Sequence, residues 1–345
     1  MSPYIPVMTS RRPSRSPSIV FAAVLCVMLL AGRSAPAQDD LAKAFAAADW
    51  PRAVRLARIA VESRPGDPGA RYNLACALSR SGDAEAAIAA LRASAERGFA
   101  FVATLLDDTD LDAIRSHPSY PAVLDLVRKN NATALETFRK KAVDAKVLLF
   151  PPPGERSRPA PLVVALHGFG GNAASFAPVW RDVAEEAGAF LAVPQALDAA
   201  AGGGFSWGVV EQGEHLVLRA IEKARREHPI DPKRVVVAGF SQGGGMAFTV
   251  ALRHPELIAG AIPIAGFYDE RVTPLSETIG APLPRFAILN GALDEEAGNN
   301  RKAARLLEAA GTRVFLKIYD GLGHDIPKDR RAELSSALRF VLGAP

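Results

Sequence analysis

The stretch that decides the fold is RVVVAGFSQGGG, which occupies residues 234–245. Three valines and an alanine predict a buried strand, and the glycine-rich turn after them leads into a helical stretch. The turn holds Gly239, Ser241 and Gly243 in the pattern G-x-S-x-G. Between a strand and a helix, this pattern lifts a serine hydroxyl above the edge of a sheet, and glycine avoids crowding of the turn by a Cβ. The sequence therefore predicts that Ser241 is a nucleophile.

The same strand-to-helix alternation extends through the C-terminal part of the chain. Helical stretches at 214–227, 246–253 and 300–310 separate several short apolar runs. This alternation predicts a mostly parallel sheet with helices on both faces, in which ligands bind at the carboxyl ends of the strands. The predicted strands are residues 146–150, 162–166, 189–194, 234–239, 260–264, 285–289 and 312–318.

A serine nucleophile needs a base, and the base needs an acid that orients it. Four of the six histidines lie in the N-terminal helical region or within or beside predicted helices, and His167 precedes the serine. His324, in the loop after the last predicted strand, is therefore the predicted base. Chain order places the acid in the loop after the penultimate strand, which favours Asp294. The alternatives for the acid are Glu295, Glu296 and Asp269.

Attack by serine creates a negative charge on the substrate oxygen, and backbone N–H groups must stabilise it. One such donor contributes about 2.7–4 kcal/mol. We expect the N–H of Gln242, directly after the nucleophile, and that of Phe169, in the glycine-rich loop 167–171. For His167 we weigh a contact with substrate against a bracing role in this loop, and favour bracing. Trp207 either forms a wall of the substrate site or packs inside the domain.

Five short motifs of this region belong together: 167–170 (HGFG), 206–207 (SW), 239–244 (GFSQGG), 291–294 (GALD) and 321–324 (GLGH). They resemble α/β-hydrolases of the phospholipase/carboxylesterase family, over about residues 145–343. The resemblance implies hydrolysis of carboxylic esters or thioesters through an acyl-serine intermediate. Two departures lie near the substrate: Gly208-Val209 replaces an aromatic-acidic pair, and Glu295-Glu296-Ala297 replaces a valine-proline ending. The family's specificity is therefore not transferred to this chain.

Residues 39–130 form a separate region that is rich in alanine, leucine and arginine and has no strand-like run. Asp49 and Ala53 recur as Asp83 and Ala87, and this interval is the period of tetratricopeptide repeats. The region is predicted to be a helical, tetratricopeptide-like domain. It binds a peptide or protein partner, or it is an appendage that shields or orients the catalytic domain; we favour the appendage.

Residues 1–37 are similar to a secretory signal peptide. Arginines precede an apolar run at 19–31, and Ala35-Pro36-Ala37 offers small residues for cleavage after Ala37. The run is shorter than the roughly twenty residues that span a bilayer, so no stable membrane span is expected. The predicted location is the periplasm or outside the cell, with an uncleaved anchor as the alternative and Met1 or Met8 as the start. The domain limits are thus 1–37 signal peptide, 39–130 helical domain, 131–144 linker and 145–345 α/β-hydrolase domain.

Charge and motif content exclude several other classes. The net charge of +4 arises from four arginines in the leader; the remaining basic and acidic residues number 37 each, so no nucleic-acid partner is expected. Neither a metal-binding motif such as H-E-x-x-H nor a phosphate-binding loop occurs, so no metal and no cofactor are expected. The predicted substrate is a small-molecule or polymer-borne ester. A serine peptidase, and a repeat-based binding or scaffold protein with a non-catalytic hydrolase domain, remain as alternatives.

Overall fold

The computed structural model describes residues 36–154, 158–200, 203–270, 272–275 and 282–343. The chain divides into two compact units, residues 1–130 and 131–345. The predicted signal peptide lies outside the described residues except for its last two positions. Among the described helices, none has the length and apolar character that a membrane crossing requires.

The first unit is helical, as the sequence predicts. Asp49 and Asp83, the two aspartates of the sequence recurrence, each cap a helix: their carboxylates accept the backbone N–H of Arg52 and of Ala86, both at 3.1 Å. The recurrence thus marks two equivalent helix starts. The elements of this unit are α1 (Pro36–Ala46), α2 (Trp50–Ser63), α3 (Pro68–Ser81), α4 (Ala84–Glu96), α5 (Val102–Asp107), a 3-10 helix (Thr109–Ile114) and the start of α6 (Tyr120–Ala142).

Helix α6 differs from the prediction, because residues 131–142 are helical where the sequence analysis predicts a linker. No glycine or proline occurs in this helix after Pro121, and Arg139, Lys140 and Lys141 lie in its last turn, where cations interact favourably with the helix dipole. Residues 131–142 are therefore helical and do not form a loop.

The second unit contains a seven-stranded, mostly parallel sheet, which confirms the predicted fold class. All seven predicted strands are present in the order β1-β3-β2-β6-β7-β8-β9, and only β1 runs antiparallel to its neighbour, β3. The sequence analysis does not predict the short antiparallel hairpin β4–β5, which has two residues in each strand. The strands are β1 (Val147–Phe150), β2 (Ala160–Leu166), β3 (Phe190–Pro194), β4 (Asp198–Ala199), β5 (Phe205–Ser206), β6 (Ile230–Phe240), β7 (Gly260–Ile264), β8 (Arg285–Gly291) and β9 (Val314–Tyr319).

Helices cover both faces of this sheet. Along the fully buried β2, Leu162 and Val164 contribute to one core while Val163 contributes to the other, as the two-residue period of a strand requires. The arrangement brings the carboxyl ends of β2, β6, β7 and β8 to one edge in adjacent positions. The helices of this unit are α7 (Ala173–Glu186), α8 (Val210–Glu227), α9 (Gln242–Arg253), α10 (Ala297–Ala309) and α11 (Arg330–Leu342).

Candidate active site

Ser241 lies on a sharp turn between β6 and α9. Its backbone has φ 55° and ψ −118°, a conformation that costs a non-glycine residue about 1–3 kcal/mol. The N–H of Ser241 donates to the carbonyl of Ile264 at 2.9 Å, which ties the turn to β7. A Cβ on Gly239 would lie 2.2 Å from the carbonyl oxygen of Gly243, and one on Gly243 would lie 2.3 Å from that of Leu166. Only glycine fits at these two positions.

His324 and Asp294 reach this serine from the loops after β9 and β8. The Nε2 of His324 is 2.8 Å from Ser241 Oγ, and its Nδ1 is 2.9 Å from Asp294 Oδ2. Asp294 is only 7% exposed, and its other oxygen accepts the N–H of Glu296 at 2.9 Å. The carboxylate favours a proton on Nδ1 and leaves Nε2 free to accept the serine proton. The structure thus brings together the three residues predicted for catalysis.

The other candidate acids occupy different positions. Glu295 is exposed, and Asp269 lies in the loop after β7. Glu296 is half-buried beside Asp294; burial is the main cause that raises its pKa to about 7, and the carboxylates of Asp294 and Glu295 add to the rise. Among the described residues, Asp294 is the acid that hydrogen-bonds to His324.

The two predicted oxyanion donors lie beside Ser241. Gln242 is the first residue of α9, where a backbone N–H has no partner within the helix and the helix dipole favours a negative charge. A Cβ on Gly168 would lie 3.4 Å from Ser241 Cβ, so the loop 167–171 is adjacent to the serine. Within the described part of the chain, the N–H of Phe169 makes no hydrogen bond, while that of Gly170 donates to the carbonyl of Phe205 at 3.0 Å.

His167 and Trp207 lie beneath this loop. Each is 1% exposed, and the rings are 4.9 Å apart. His167 Nδ1 is 2.8 Å from the carbonyl of Gly168, its Nε2 accepts the N–H of Ala196 at 3.4 Å, and burial lowers its pKa. The indole N–H of Trp207 donates to the carbonyl of His167 at 2.7 Å. The substrate contact considered for these two residues does not fit their burial; both brace the loop.

The side chain of Gln242 has a contact that the sequence analysis missed. Its Oε1 accepts the backbone N–H of Trp207 at 3.2 Å, and its Nε2 donates to Ser206 Oγ at 3.1 Å. We call the set Ser206, Trp207, Gln242 and His167 the clasp, since it connects the loop of Phe169 with the residue that follows Ser241. The Ser206-Trp207 motif was the sequence feature that pointed to this region, but it did not reveal the hydrogen-bond partners of Trp207.

One group of potential metal ligands occurs among the described residues, and it lies in the helical unit. Ligand atoms of Cys76, Asp108 and Asp110 are within 4.8 Å of one another. The carboxylate of Asp108, however, already accepts the hydroxyl of Tyr72 at 2.7 Å, the thiol of Cys76 at 3.5 Å and the N–H of Asp110 at 2.9 Å. We therefore interpret this group as a structural hydrogen-bond network.

Comparison with known proteins shows which family and which fold this chain resembles. A family model described as phospholipase/carboxylesterase matches residues 154–342, more than half of the chain. Poly(3-hydroxyalkanoate) depolymerase C of Paucimonas lemoignei is 36% identical over 31% of this chain, and a probable carboxylesterase of Oryza sativa subsp. japonica is 30% identical over 39% of it. The chain spans only 28% and 53% of the length of these two relatives. The crystal structure of esterase PE8 shares the fold, with a TM-score of 0.50, 22% identity and coverage of 58% of this chain and 100% of its own.

Proposed function

The chain belongs to the phospholipase/carboxylesterase family, and on this basis we propose that it hydrolyses carboxylic esters or thioesters at Ser241. The observation that carries the proposal is the continuous hydrogen-bond chain from Asp294 through His324 to Ser241. It joins residues from the ends of three strands at the edge where ligands bind in such sheets. This arrangement supports acyl transfer, in which a serine attacks, a histidine moves its proton and an acid orients the histidine.

In the proposed reaction, Ser241 Oγ attacks the carbonyl carbon of the substrate while His324 Nε2 takes its proton. Asp294 stabilises the imidazolium that forms, and the N–H groups of Phe169 and Gln242 stabilise the oxyanion. His324 then gives the proton to the departing alcohol or thiol, which leaves an acyl-serine. A water molecule, deprotonated by His324, attacks this ester and releases the acid and Ser241.

Two substrate forms are proposed: a small-molecule ester and an ester carried on a polymer. The relative named as a poly(3-hydroxyalkanoate) depolymerase supports a test of the second form. A peptidase would use the same three residues, because neither fold nor triad determines the leaving group. The complete hydrogen-bond chain argues against a non-catalytic scaffold.

The first experiment is hydrolysis of p-nitrophenyl esters of graded chain length by the full chain and by Ser241→Ala. We expect the variant to lose more than about 10⁴-fold in kcat. A fluorophosphonate probe is expected to label the wild type and not the variant. Ser175→Ala, on an exposed helix start, is the control and is expected to remain active. Undiminished hydrolysis by Ser241→Ala would exclude this serine as the nucleophile.

For residues 39–130 we propose a tetratricopeptide-like appendage, with a protein partner as the alternative role. The capping aspartates Asp49 and Asp83, at equivalent helix starts, support the repeat. Affinity capture with the full chain, compared with a chain altered at exposed residues of α2 such as Ile59, tests the partner. Equal capture by both chains would leave the appendage without a partner on that surface.

We also propose export, with cleavage after Ala37 and a periplasmic or extracellular product. The apolar run and the small residues before the cleavage position support it. N-terminal sequencing of the protein from the cell envelope and the medium is expected to start at Gln38. A start at Met1 or Met8 would instead indicate an uncleaved leader.

A further inference from the structure

A cavity of about 370 Å³ lies in the second unit between the start of β1 and helix α8. Residues 143–147 line one side of it together with Pro194, at the end of β3, and one face of α8 lines the other side. Ser241, Asp294 and His324 are not among the lining residues. The cavity is within the size range of small-molecule sites, about 300–1,000 Å³, and is separate from the candidate active site.

Helix α8 presents a row of basic side chains to this cavity. The lining residues of the helix stand three or four positions apart, so they share one face. They are Leu216, Arg219, Lys223 and Arg226. Burial decreases along the row, from the buried Leu216 to the exposed Arg226. Like charges at this spacing repel each other by about 0.2–0.5 kcal/mol per pair, and an anion beside the row would offset that repulsion.

Two contacts with the backbone hold the sides of the cavity in place. The Nη2 of Arg219 donates to the carbonyl of Val143 at 2.7 Å, which connects α8 with the segment before β1. The N–H of Gln195 donates to the carbonyl of Lys146 at 2.9 Å, which connects this segment with the end of β3. One guanidinium and the backbone of Lys146 are thus held before a ligand binds, and this reduces the entropic cost of binding.

Positive charge predominates in the cavity. Among the described residues, its lining contains four cations and one acid: Lys146, Arg219, Lys223, Arg226 and Asp144. Lys223 pairs with Glu227 one turn further along α8, but both side chains are partly exposed, and such a pair contributes little. Neither Lys146 nor Arg226 forms an ion pair or a side-chain hydrogen bond with a described residue. Two cations of the lining are therefore available to an anion.

His215 reports the same excess of positive charge one turn before Arg219. Burial is the main cause that lowers its pKa, and the guanidinium groups of Arg139, in α6, and Arg219 lower it further. The carboxylate of Glu222 opposes them with a smaller effect. The cations on this side of the second unit thus outweigh the acid beside them.

We propose that this basic cavity is a binding site for a phosphate monoester, apart from the proposed ester hydrolysis. A guanidinium can hold two phosphate oxygens at once, and an ammonium adds charge without a strict direction. A dianion gains more from several cations than a singly charged carboxylate does. A cavity of this size also accommodates part of the group that carries the phosphate, which is a soluble molecule or a lipid.

The first test is calorimetric titration of the full chain with glycerol 3-phosphate at pH 8, where a phosphate with a second pKa of about 6 is a dianion. We expect saturable one-to-one binding that weakens as salt is added, and no binding of glycerol. The double variant Lys146→Gln/Arg226→Gln is expected to raise Kd about tenfold or more, because it removes two charge contacts. Both side chains are exposed, so core packing is retained. Arg305→Gln, an exposed cation on α10, is the control and should leave Kd unchanged.

Asp144→Asn gives a change of the opposite sign. It removes the acid of the lining, so Kd for glycerol 3-phosphate is expected to fall about twofold to threefold. Glu308→Gln, at an exposed acid at the far end of α10, alters the net charge by the same amount and is the matched control. An equal fall of Kd in both variants would mean that the net charge of the protein, and not the cavity, determines binding.

The source of the phosphate is tested by sedimentation with vesicles of phosphatidylcholine that contain about one fifth phosphatidic acid, whose headgroup is a phosphate monoester. Sedimentation that the double variant loses and Arg305→Gln retains assigns a lipid headgroup. Calorimetric binding of glycerol 3-phosphate without sedimentation assigns a soluble ester. The inference is overturned if neither probe binds, or if the double variant binds both as the wild type does.

Discussion

The helical unit and the sheet unit each bury a carboxylate, with very different partners. Asp294, in the sheet unit, accepts a hydrogen bond from the backbone N–H of Glu296 and pairs through its other oxygen with His324. Asp110, in the helical unit, is 3% exposed, and its Oδ2 has no partner among the described residues. Burial and the neighbouring Asp108 raise the pKa of Asp110 to about 6.

The contrast shows that burial alone does not mark a functional acid. The hydrogen-bond partners of Asp294 offset the cost of removing its carboxylate from water, and the same contacts orient it towards His324 in the proposed reaction. At Asp110 the guanidinium of Arg80, 3.5 Å away and itself exposed, compensates only in part. We therefore expect the effect of replacing Asp294 or Asp110 to depend on the hydrogen-bond partners of its carboxylate more than on its burial.

Asp294→Asn tests the satisfied carboxylate and should have the largest effect. The amide cannot stabilise the imidazolium and favours the wrong tautomer, so kcat is expected to fall about 10³-fold to 10⁴-fold. Steady-state kinetics on a p-nitrophenyl ester measures it. Asp325→Asn, an exposed acid next to His324 in the sequence, is the control and should remain within about twofold of wild type. A loss below tenfold in Asp294→Asn would mean that another acid orients His324.

Asp110→Asn tests the unsatisfied carboxylate and should act in the opposite sense, on stability. The pKa of Asp110 is higher in the folded chain than its ordinary value of 3.8, so the folded state loses stability as pH rises from about 4 through about 6. At pH 8 the neutral amide should therefore stabilise the helical unit by about 2 kcal/mol, and at pH 4 by little.

Amide hydrogen exchange in α3 and α4 of the full chain, corrected for the intrinsic effect of pH, measures this difference. Asp112→Asn, an exposed carboxylate in the same 3-10 helix, is the matched control and should change protection little. Lower protection of Asp110→Asn than of wild type at pH 8 would show that the Asp110 charge stabilises the unit after all.

The sequence predicted the central strands of the sheet better than the strand ends and the short hairpin β4–β5. Buried parallel strands are continuous apolar runs, and Val235–Val237 could be recognised by that pattern alone. Strand β6 nevertheless begins at Ile230 and not at residue 234, because Ile230 pairs with Ala160 of β2. The sequence did not predict this extension, since Asp231-Pro232 is typical of a turn. The hairpin β4–β5 has two residues per strand, too few to show a period.

The residues of the candidate site were predictable for a different reason: chain order and position after a strand restrict each proposed role to one loop. Such reasoning named Ser241, Asp294 and His324, which the structure places in hydrogen-bond contact. It did not reach the amide of Gln242, whose partner Trp207 is 35 residues away in the chain. Tertiary packing alone creates such a pair, so no local pattern could reveal it.

Gln242→Ala tests the clasp, in which both polar atoms of the Gln242 side chain have a hydrogen-bond partner. The variant retains the backbone N–H proposed for the oxyanion but loses the contacts with Trp207 and Ser206. We expect kcat to fall about tenfold with a smaller change in KM, since a displaced donor weakens only the transition state. Gln242→Glu keeps an acceptor for the N–H of Trp207 and should recover most of the activity. Wild-type kcat in Gln242→Ala would show that the clasp does not position the donors.

Glu296→Gln should have the smallest effect, on the pH profile alone. The pKa of Glu296 is about 7, and the charges of Glu296 and His324 favour each other. An ionised Glu296 therefore stabilises the protonated, inactive form of the base, and the neutral amide removes that stabilisation. The acid limb of kcat/KM between pH 5 and 9 is expected to move to lower pH by about half a unit, while Glu308→Gln leaves it in place. Movement of the acid limb to higher pH would mean that the carboxylate of Glu296 acts on Asp294 more than on His324. Glu296 would then be a second acid with incompletely compensated charge, like Asp110, but inside the candidate active site.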